Sequence, residues 1–135
     1  MDIRKKQRVV VDALEDIKGR DILVYDTARM PSMFERVVIA SGDSTRQVKA
    51  LADNVQEKVR QNGARVYGVE GEGNGEWVLV DLGDAVVHIM HPTVRDFYNL
   101  EEVWGGKPVS VKRAGANKTA KKAARGKAAR RRARR

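Results

Sequence analysis

The sequence predicts a single α/β domain in which helices cover a mixed sheet of about five strands. Apolar residues recur at helical spacing in two stretches, and short β-branched runs typical of buried strands lie between and after them. The length of 135 residues suits one hydrophobic core. The predicted order is helix, strand, strand, helix and three further strands, which favours an α/β layer.

The first predicted helix and two strands occupy the N-terminal third. Apolar residues at helical spacing predict a helix over residues 9–18, and Gly19 is well placed to end it. The apolar run at 21–26 predicts a buried strand. A connection containing proline, residues 28–33, leads to a second β-branched strand at 34–40.

A second helix follows a strong start signal. Ser44 and Gln47 have the spacing of a capping box, and Asn62-Gly63 marks the end of the helix. A third strand is predicted at 64–69, and residues 70–75 form an acidic loop rich in glycine. The apolar residues that share one face of this helix are Val48, Leu51, Ala52, Val55 and Val59.

Residues 77–82 and 85–90 predict two strands joined by a tight turn at Gly83-Asp84. This register gives the sheet one aliphatic face and one mixed face. The aliphatic pairs are Leu82–Ala85, Val80–Val87 and Val78–Ile89. The mixed pairs are Asp81–Val86, Leu79–His88 and Trp77–Met90. A helix of the same chain is one way to cover the mixed face, but its composition favours a partner surface. The residues after Pro92 predict a short closing helix.

The net charge of +9 hides a division along the chain. Residues 106–135 contain 13 Lys and Arg and no Asp or Glu, which leaves residues 1–105 with a net charge of −4. The basic segment has no bulky apolar residue after Val111, so we expect a disordered tail that contacts RNA or DNA phosphates. The residues we expect to make these contacts are Lys121, Lys122, Arg125, Arg130, Arg131 and Arg132.

Composition excludes several classes of function. The chain has no cysteine, so it forms no disulfide and binds no cysteine-ligated zinc or iron–sulfur cluster. Its apolar runs are too short to span a membrane, and Arg4, Lys5 and Lys6 precede no long apolar stretch of a secretory signal. We therefore expect a cytoplasmic protein.

No motif in the sequence favours catalysis or a cofactor. His88 and His91 would point to opposite faces of one strand, so they do not form a shared metal site. The glycines at 71, 73 and 75 precede a strand, whereas a phosphate loop needs a helix N-terminus. Ser41 to Ser44 does precede a helix, but capping explains it equally well. We expect neither an enzyme nor a metal or cofactor.

Three segments carry a resemblance to the ribosomal silencing factor family, also called RsfS or Iojap-like. They are DILVYDT at 21–27, VIASGDSTRQVKALADNV at 38–55 and EGEGNGEWVLVDLGDAVVHIMHPTVRDFYNLEEVW at 70–104. The resemblance covers about residues 3–105, so we expect a family domain at 1–105 and a separate tail at 106–135.

The resemblance implies a fold, a partner and a mechanism. The implied fold is similar in shape to nucleotidyltransferases. Members of the family bind the large ribosomal subunit through its ribosomal protein number fourteen. They block joining of the small subunit, which represses translation when nutrients are scarce, and they form homodimers when free.

The resemblance and the hairpin together predict which residues contact the ribosomal protein. The stronger candidates are Trp77, Leu79, Asp81, His88 and Met90, and the weaker ones are Asp84 and Tyr98. Two rival functions stay open. One is a nucleotidyltransferase that retains activity, and the other is a nucleic-acid-binding protein that acts mainly through its tail.

Overall fold

The computed structural model describes residues 1–30 and 33–100 and confirms the predicted α/β domain. The elements in chain order are α1 (Ile3–Asp16), β1 (Arg20–Asp26), β2 (Arg36–Ser41), α2 (Thr45–Gln61), β3 (Gly68–Glu70), β4 (Trp77–Asp81), β5 (Ala85–Met90) and α3 (Pro92–Tyr98). None of the helices in these ranges is long and apolar enough to cross a membrane.

The five strands form one mixed sheet in the order β1-β2-β5-β4-β3. β2 and β5 pair in parallel, and the other three pairs are antiparallel. The parallel pair places β5 at the centre of the sheet, although 43 residues separate the end of β2 at Ser41 from the start of β5 at Ala85. β5 is accordingly buried along its whole length.

The hairpin of β4 and β5 has the register that the sequence predicts. Trp77 pairs with Met90, Leu79 with His88, and Asp81 with Val86. The Leu82 N–H donates to the Ala85 carbonyl at 2.8 Å, which closes a two-residue loop at Gly83-Asp84. Gly83 has a φ of +91°, a conformation that glycine adopts without strain.

Helices α1 and α2 cover the aliphatic face of the sheet and form the main core with it. Every aliphatic residue of the predicted hairpin face is completely or almost completely buried in this core. These residues are Val78, Val80, Leu82, Ala85, Val87 and Ile89. The five apolar residues predicted for α2 lie in the same core.

The helix starts follow from their caps. Ser44 accepts a hydrogen bond from the Gln47 N–H at 3.1 Å, as a capping box requires. The Gln47 side-chain oxygen accepts a hydrogen bond from the Asp43 N–H at 2.6 Å. In a standard capping box the donor would be the N–H of the N-cap residue itself, Ser44. α1 starts well before residue 9, because Asp2 caps it by accepting from the Lys5 N–H at 2.8 Å.

One further difference concerns the length of a strand. The third strand was predicted over residues 64–69 but spans only Gly68–Glu70 and pairs with β4 alone. The closing helix is confirmed as α3, where His91 is the N-cap and Pro92 occupies the first turn. The predicted tail at 106–135, with all of its expected RNA contacts, lies outside the described residues.

Candidate partner-binding surface

The mixed face of the hairpin ends in a row of aromatic side chains. The Trp77 ring lies 5.1 Å from the Tyr98 ring between centroids, and the Tyr98 ring meets Phe97 edge-on at 5.0 Å. Phe97 is 79% exposed and Tyr98 is 55% exposed, whereas Trp77 is half-buried. We call Trp77, Phe97 and Tyr98 the aromatic ledge.

Local backbone geometry places the ledge where β4 begins and α3 ends. Gly71, with a φ of +90°, lies against the Trp77 carbonyl so closely that a side chain there would collide with it. The His91 N–H donates to the Glu76 carbonyl at 2.8 Å, which fixes the start of α3 beside Trp77. The loop before β4 and the cap of α3 therefore bring the aromatic rings together.

His88 contacts the Trp77 ring and accepts a hydrogen bond from it. The Trp77 indole Nε1–H donates to His88 Nδ1 at 3.1 Å, and the two ring centroids are 5.9 Å apart. His88 is only 8% exposed, and this burial lowers the pKa of its imidazole to about 4. His88 is therefore neutral at physiological pH, and it offers little surface to a partner.

The other hydrophobic candidates differ in exposure. Leu79 is half-buried and packs against a small second core on this face, formed by Tyr25, Val37, Ile39 and Val86. Met90 is completely buried, so the prediction that it lies on the open part of the mixed face is wrong. Met90 ends the central strand immediately before α3, a helix that contacts β5. Met90 therefore offers no exposed surface to a partner, unlike the aromatic side chains beside it.

The two carboxylate candidates are engaged at the hairpin turn. Asp81 is half-buried, and its Oδ1 accepts from the Gly83 N–H at 2.9 Å. Asp84 Oδ1 lies 2.6 Å from Lys6 Nζ, which also donates to the Leu82 carbonyl at 3.1 Å. Lys6 is only 7% exposed, so this pair ties α1 to the turn. Asp84 therefore has a structural role that the sequence did not predict.

Sequence reasoning missed Phe97 as a site residue. Phe97 lies on the closing helix and has the larger exposed fraction of the two neighbouring aromatic residues on α3. The available signal was the pair of adjacent aromatic residues on a short helix, because neighbouring helical positions face in different directions and cannot both pack against the sheet. The buried charged residue of that helix is Arg95, whose Nη1 donates to Ser41 Oγ at 3.0 Å.

Within residues 1–30 and 33–100, no three His, Cys, Asp or Glu side chains gather in a group that would hold a metal ion. His88 and His91 have separate roles, one beneath Trp77 and the other accepting from the Thr93 N–H at 3.3 Å. Ser44 caps α2, as described above. His88, His91 and Ser44, which the sequence offered for chemistry, each make a structural contact here.

The fold and the aromatic ledge together define a class, a small α/β domain that exposes an aromatic surface beside its sheet. Comparison with known proteins identifies the family. The family model described as "Ribosomal silencing factor during starvation" matches residues 1–135, and the chain belongs to this family.

Individual relatives agree with this assignment. A ribosomal silencing factor RsfS from Chromobacterium violaceum is 52% identical over 110 residues, which cover 82% of this chain and 90% of the relative. A crystal structure from the same organism is 50% identical with a TM-score of 0.77, covering 87% of this chain and 98% of that one. The mouse protein named "Mitochondrial assembly of ribosomal large subunit protein 1" is 30% identical over 71% of this chain and 43% of its own length. The names of the bacterial relatives describe a regulatory rather than a catalytic role.

Proposed function

We propose that this chain binds the large ribosomal subunit through its ribosomal protein number fourteen and blocks joining of the small subunit. Translation would then fall when nutrients are scarce. The aromatic ledge is the observation that carries the proposal, because it exposes two large rings beside a third that is already held in place. The name of the mouse relative also refers to the large ribosomal subunit.

The chemistry of the ledge suits a protein partner. Trp and Tyr are enriched among the residues that dominate binding energy at protein interfaces. Exposed carboxylates flank the ledge at Glu76, next to Trp77, and at Asp96, next to Phe97. Ribosomal proteins are commonly basic, and complementary charge orients such a partner and speeds its association. The half-buried Leu79 and Asp81 extend the proposed contact along β4.

The proposed mechanism is steric exclusion, which needs affinity and position but no catalytic group. A domain of this size, held at the face where the small subunit docks, would prevent joining by occupying that space. We also propose that the protein acts in the cytoplasm, that it is a homodimer when free, and that the tail at 106–135 adds a salt-sensitive contact with ribosomal RNA.

The ledge residues test this proposal with a matched control. Tyr98→Ala and Trp77→Ala should each weaken cosedimentation with purified large subunits, by about 2 kcal/mol for Trp77. Tyr67→Ala is the control, because Tyr67 is 59% exposed but lies beside Gly83 at the opposite end of β4. Equal affinity of all three variants and the unmodified chain would reject the ledge as the contact. Absence of the unmodified chain from the large-subunit fraction would reject the partner.

A further inference from the structure

The Trp77 indole is held from two sides although it lies at the surface. Its Nε1–H donates to His88 Nδ1 at 3.1 Å, and Tyr98 packs against its ring at 5.1 Å between centroids. An indole nitrogen is only a donor, so a bound Trp77 needs an acceptor at that atom. A ring with one orientation before binding also loses less conformational entropy when a partner arrives.

His88 reaches Trp77 because of the hairpin register. Trp77 pairs with Met90 and Leu79 pairs with His88, so Trp77 and His88 are diagonal neighbours on the same face. Diagonal neighbours on paired strands are within reach of aromatic side chains. A shift of one residue in the register would move His88 to the opposite face and remove the acceptor.

The hydrogen bond also defines the state of the imidazole. Because Trp77 donates to Nδ1, that nitrogen carries no proton, and the neutral ring carries its proton on Nε2. Burial of His88 favours the same neutral form, since an imidazolium would lose its hydration in this position. His88 therefore acts as an acceptor whenever the domain is folded near neutral pH.

We propose that His88 is a positioning residue, whose Nδ1 holds the Trp77 indole in the orientation that binds the partner. This inference rests on the proposed function of the aromatic ledge. It assigns His88 an indirect role, because a side chain that is 8% exposed presents almost no surface of its own. The direct contact belongs to Trp77 and its exposed neighbours on α3.

Two substitutions separate positioning from packing. His88→Leu retains a side chain of moderate size but has no acceptor, whereas His88→Asn places an amide oxygen near the position of Nδ1. We expect His88→Leu to weaken binding to large subunits about tenfold, which corresponds to the loss of one neutral hydrogen bond. We expect His88→Asn to stay within about threefold of the unmodified chain, because it restores the acceptor.

The indole N–H resonance of Trp77 gives a readout that needs no ribosome. Trp77 and Trp104 are the two tryptophans of the chain, so Trp104→Phe identifies the Trp77 signal in a ¹H–¹⁵N spectrum. The signal should move upfield in His88→Leu and return towards its original position in His88→Asn. An unchanged signal in His88→Leu would overturn the proposal, as would a loss of affinity that His88→Asn does not reverse.

A variant of Trp77 itself keeps the test valid if His88→Leu fails to fold. Trp77→Phe preserves an aromatic ring but lacks the N–H, so it should lose about as much affinity as His88→Leu. Adding His88→Val, which has no acceptor, to Trp77→Phe should then change the affinity less than twofold, because the hydrogen bond is already absent. A further tenfold loss would show that His88 acts independently of Trp77 and would overturn the proposal. If the unmodified chain does not bind large subunits, the proposed function fails, and the role of His88 in partner binding fails with it.

Discussion

Removal of the Lys6 ammonium should destabilise the domain, although Lys6 is a charged residue on a surface helix. Lys6→Met retains most of the aliphatic stem that packs in α1 but removes the bonds to Asp84 Oδ1 and the Leu82 carbonyl. A hydrogen bond to a charged group contributes about 1.5 to 3 kcal/mol. The Asp84 side chain is 34% exposed and regains part of its hydration, so we expect a loss of about 2 kcal/mol.

Removal of the Asp84 carboxylate should lower the free energy of unfolding more than removal of the Lys6 ammonium does. Asp84→Ala leaves the Lys6 ammonium buried with the Leu82 carbonyl alone, and an uncompensated buried charge destabilises a protein by about 3 kcal/mol or more. The double variant should lose less than the sum of the two single losses, since neither charge is then left without its partner.

Urea unfolding of the full chain at pH 7, followed by circular dichroism, measures these free energies. Arg20→Gln is the matched control, because the Arg20–Asp43 pair is 3.0 Å apart but more than half exposed on both sides. That exposed pair should contribute less than about 1 kcal/mol. A loss in Lys6→Met no larger than in Arg20→Gln would refute the reasoning.

The same variants decide the role of Asp84. The sequence offered Asp84 as a weaker partner contact, whereas its bond to Lys6 indicates a structural role. If Asp84→Ala weakens binding to large subunits without any loss of stability, the original interpretation is restored.

Three further predictions concern pH, backbone conformation and the tail. The pKa of His88 is about 4 when folded and ordinarily 6.5, so the unfolded chain binds a proton that the folded chain does not. Protonation of the unfolded chain therefore lowers the stability of the fold below pH 6.5, by up to about 3 kcal/mol as the pH drops to 4 in urea titrations, and His88→Asn should lack this contribution. Gly71→Ala, at a φ of +90° and against the Trp77 carbonyl, should destabilise the domain by more than about 1 kcal/mol in the same assay, whereas Gly73→Ala meets no atom within 4 Å and should be nearly neutral. Deletion of 106–135 should abolish nonspecific RNA binding in filter assays and largely preserve binding to large subunits; the reverse result would favour a nucleic-acid-binding protein that acts through its tail.

Local signals were sufficient to predict the hairpin and the second helix. A two-residue turn at Gly83-Asp84 and strict alternation on both strands leave a single register that buries the aliphatic face. Ser44 and Gln47 similarly fix the start of α2. These features depend on residues that are close in the chain, so the sequence alone specifies them.

Features that depend on distant contacts were not predictable in the same way. Lys6 is a charged residue that lies buried on α1 because its ammonium bonds to Asp84, 78 residues further on, and to the Leu82 carbonyl. Neither strand contains a local sequence signal that predicts the parallel pairing of β2 with β5. The burial of Met90 and the exposure of Phe97 depend on how distant parts of the chain pack together, which the short sequences of β5 and α3 do not define.

Subunit joining tests the central claim most directly. Purified small and large subunits are mixed with the protein under conditions that favour joining, and the products are separated on sucrose gradients. We predict that the joined peak disappears, that the protein comigrates with the large subunit, and that Trp77→Ala at the same concentration restores much of the joined peak. Joined ribosomes that persist while the unmodified protein stays at the top of the gradient would contradict the account.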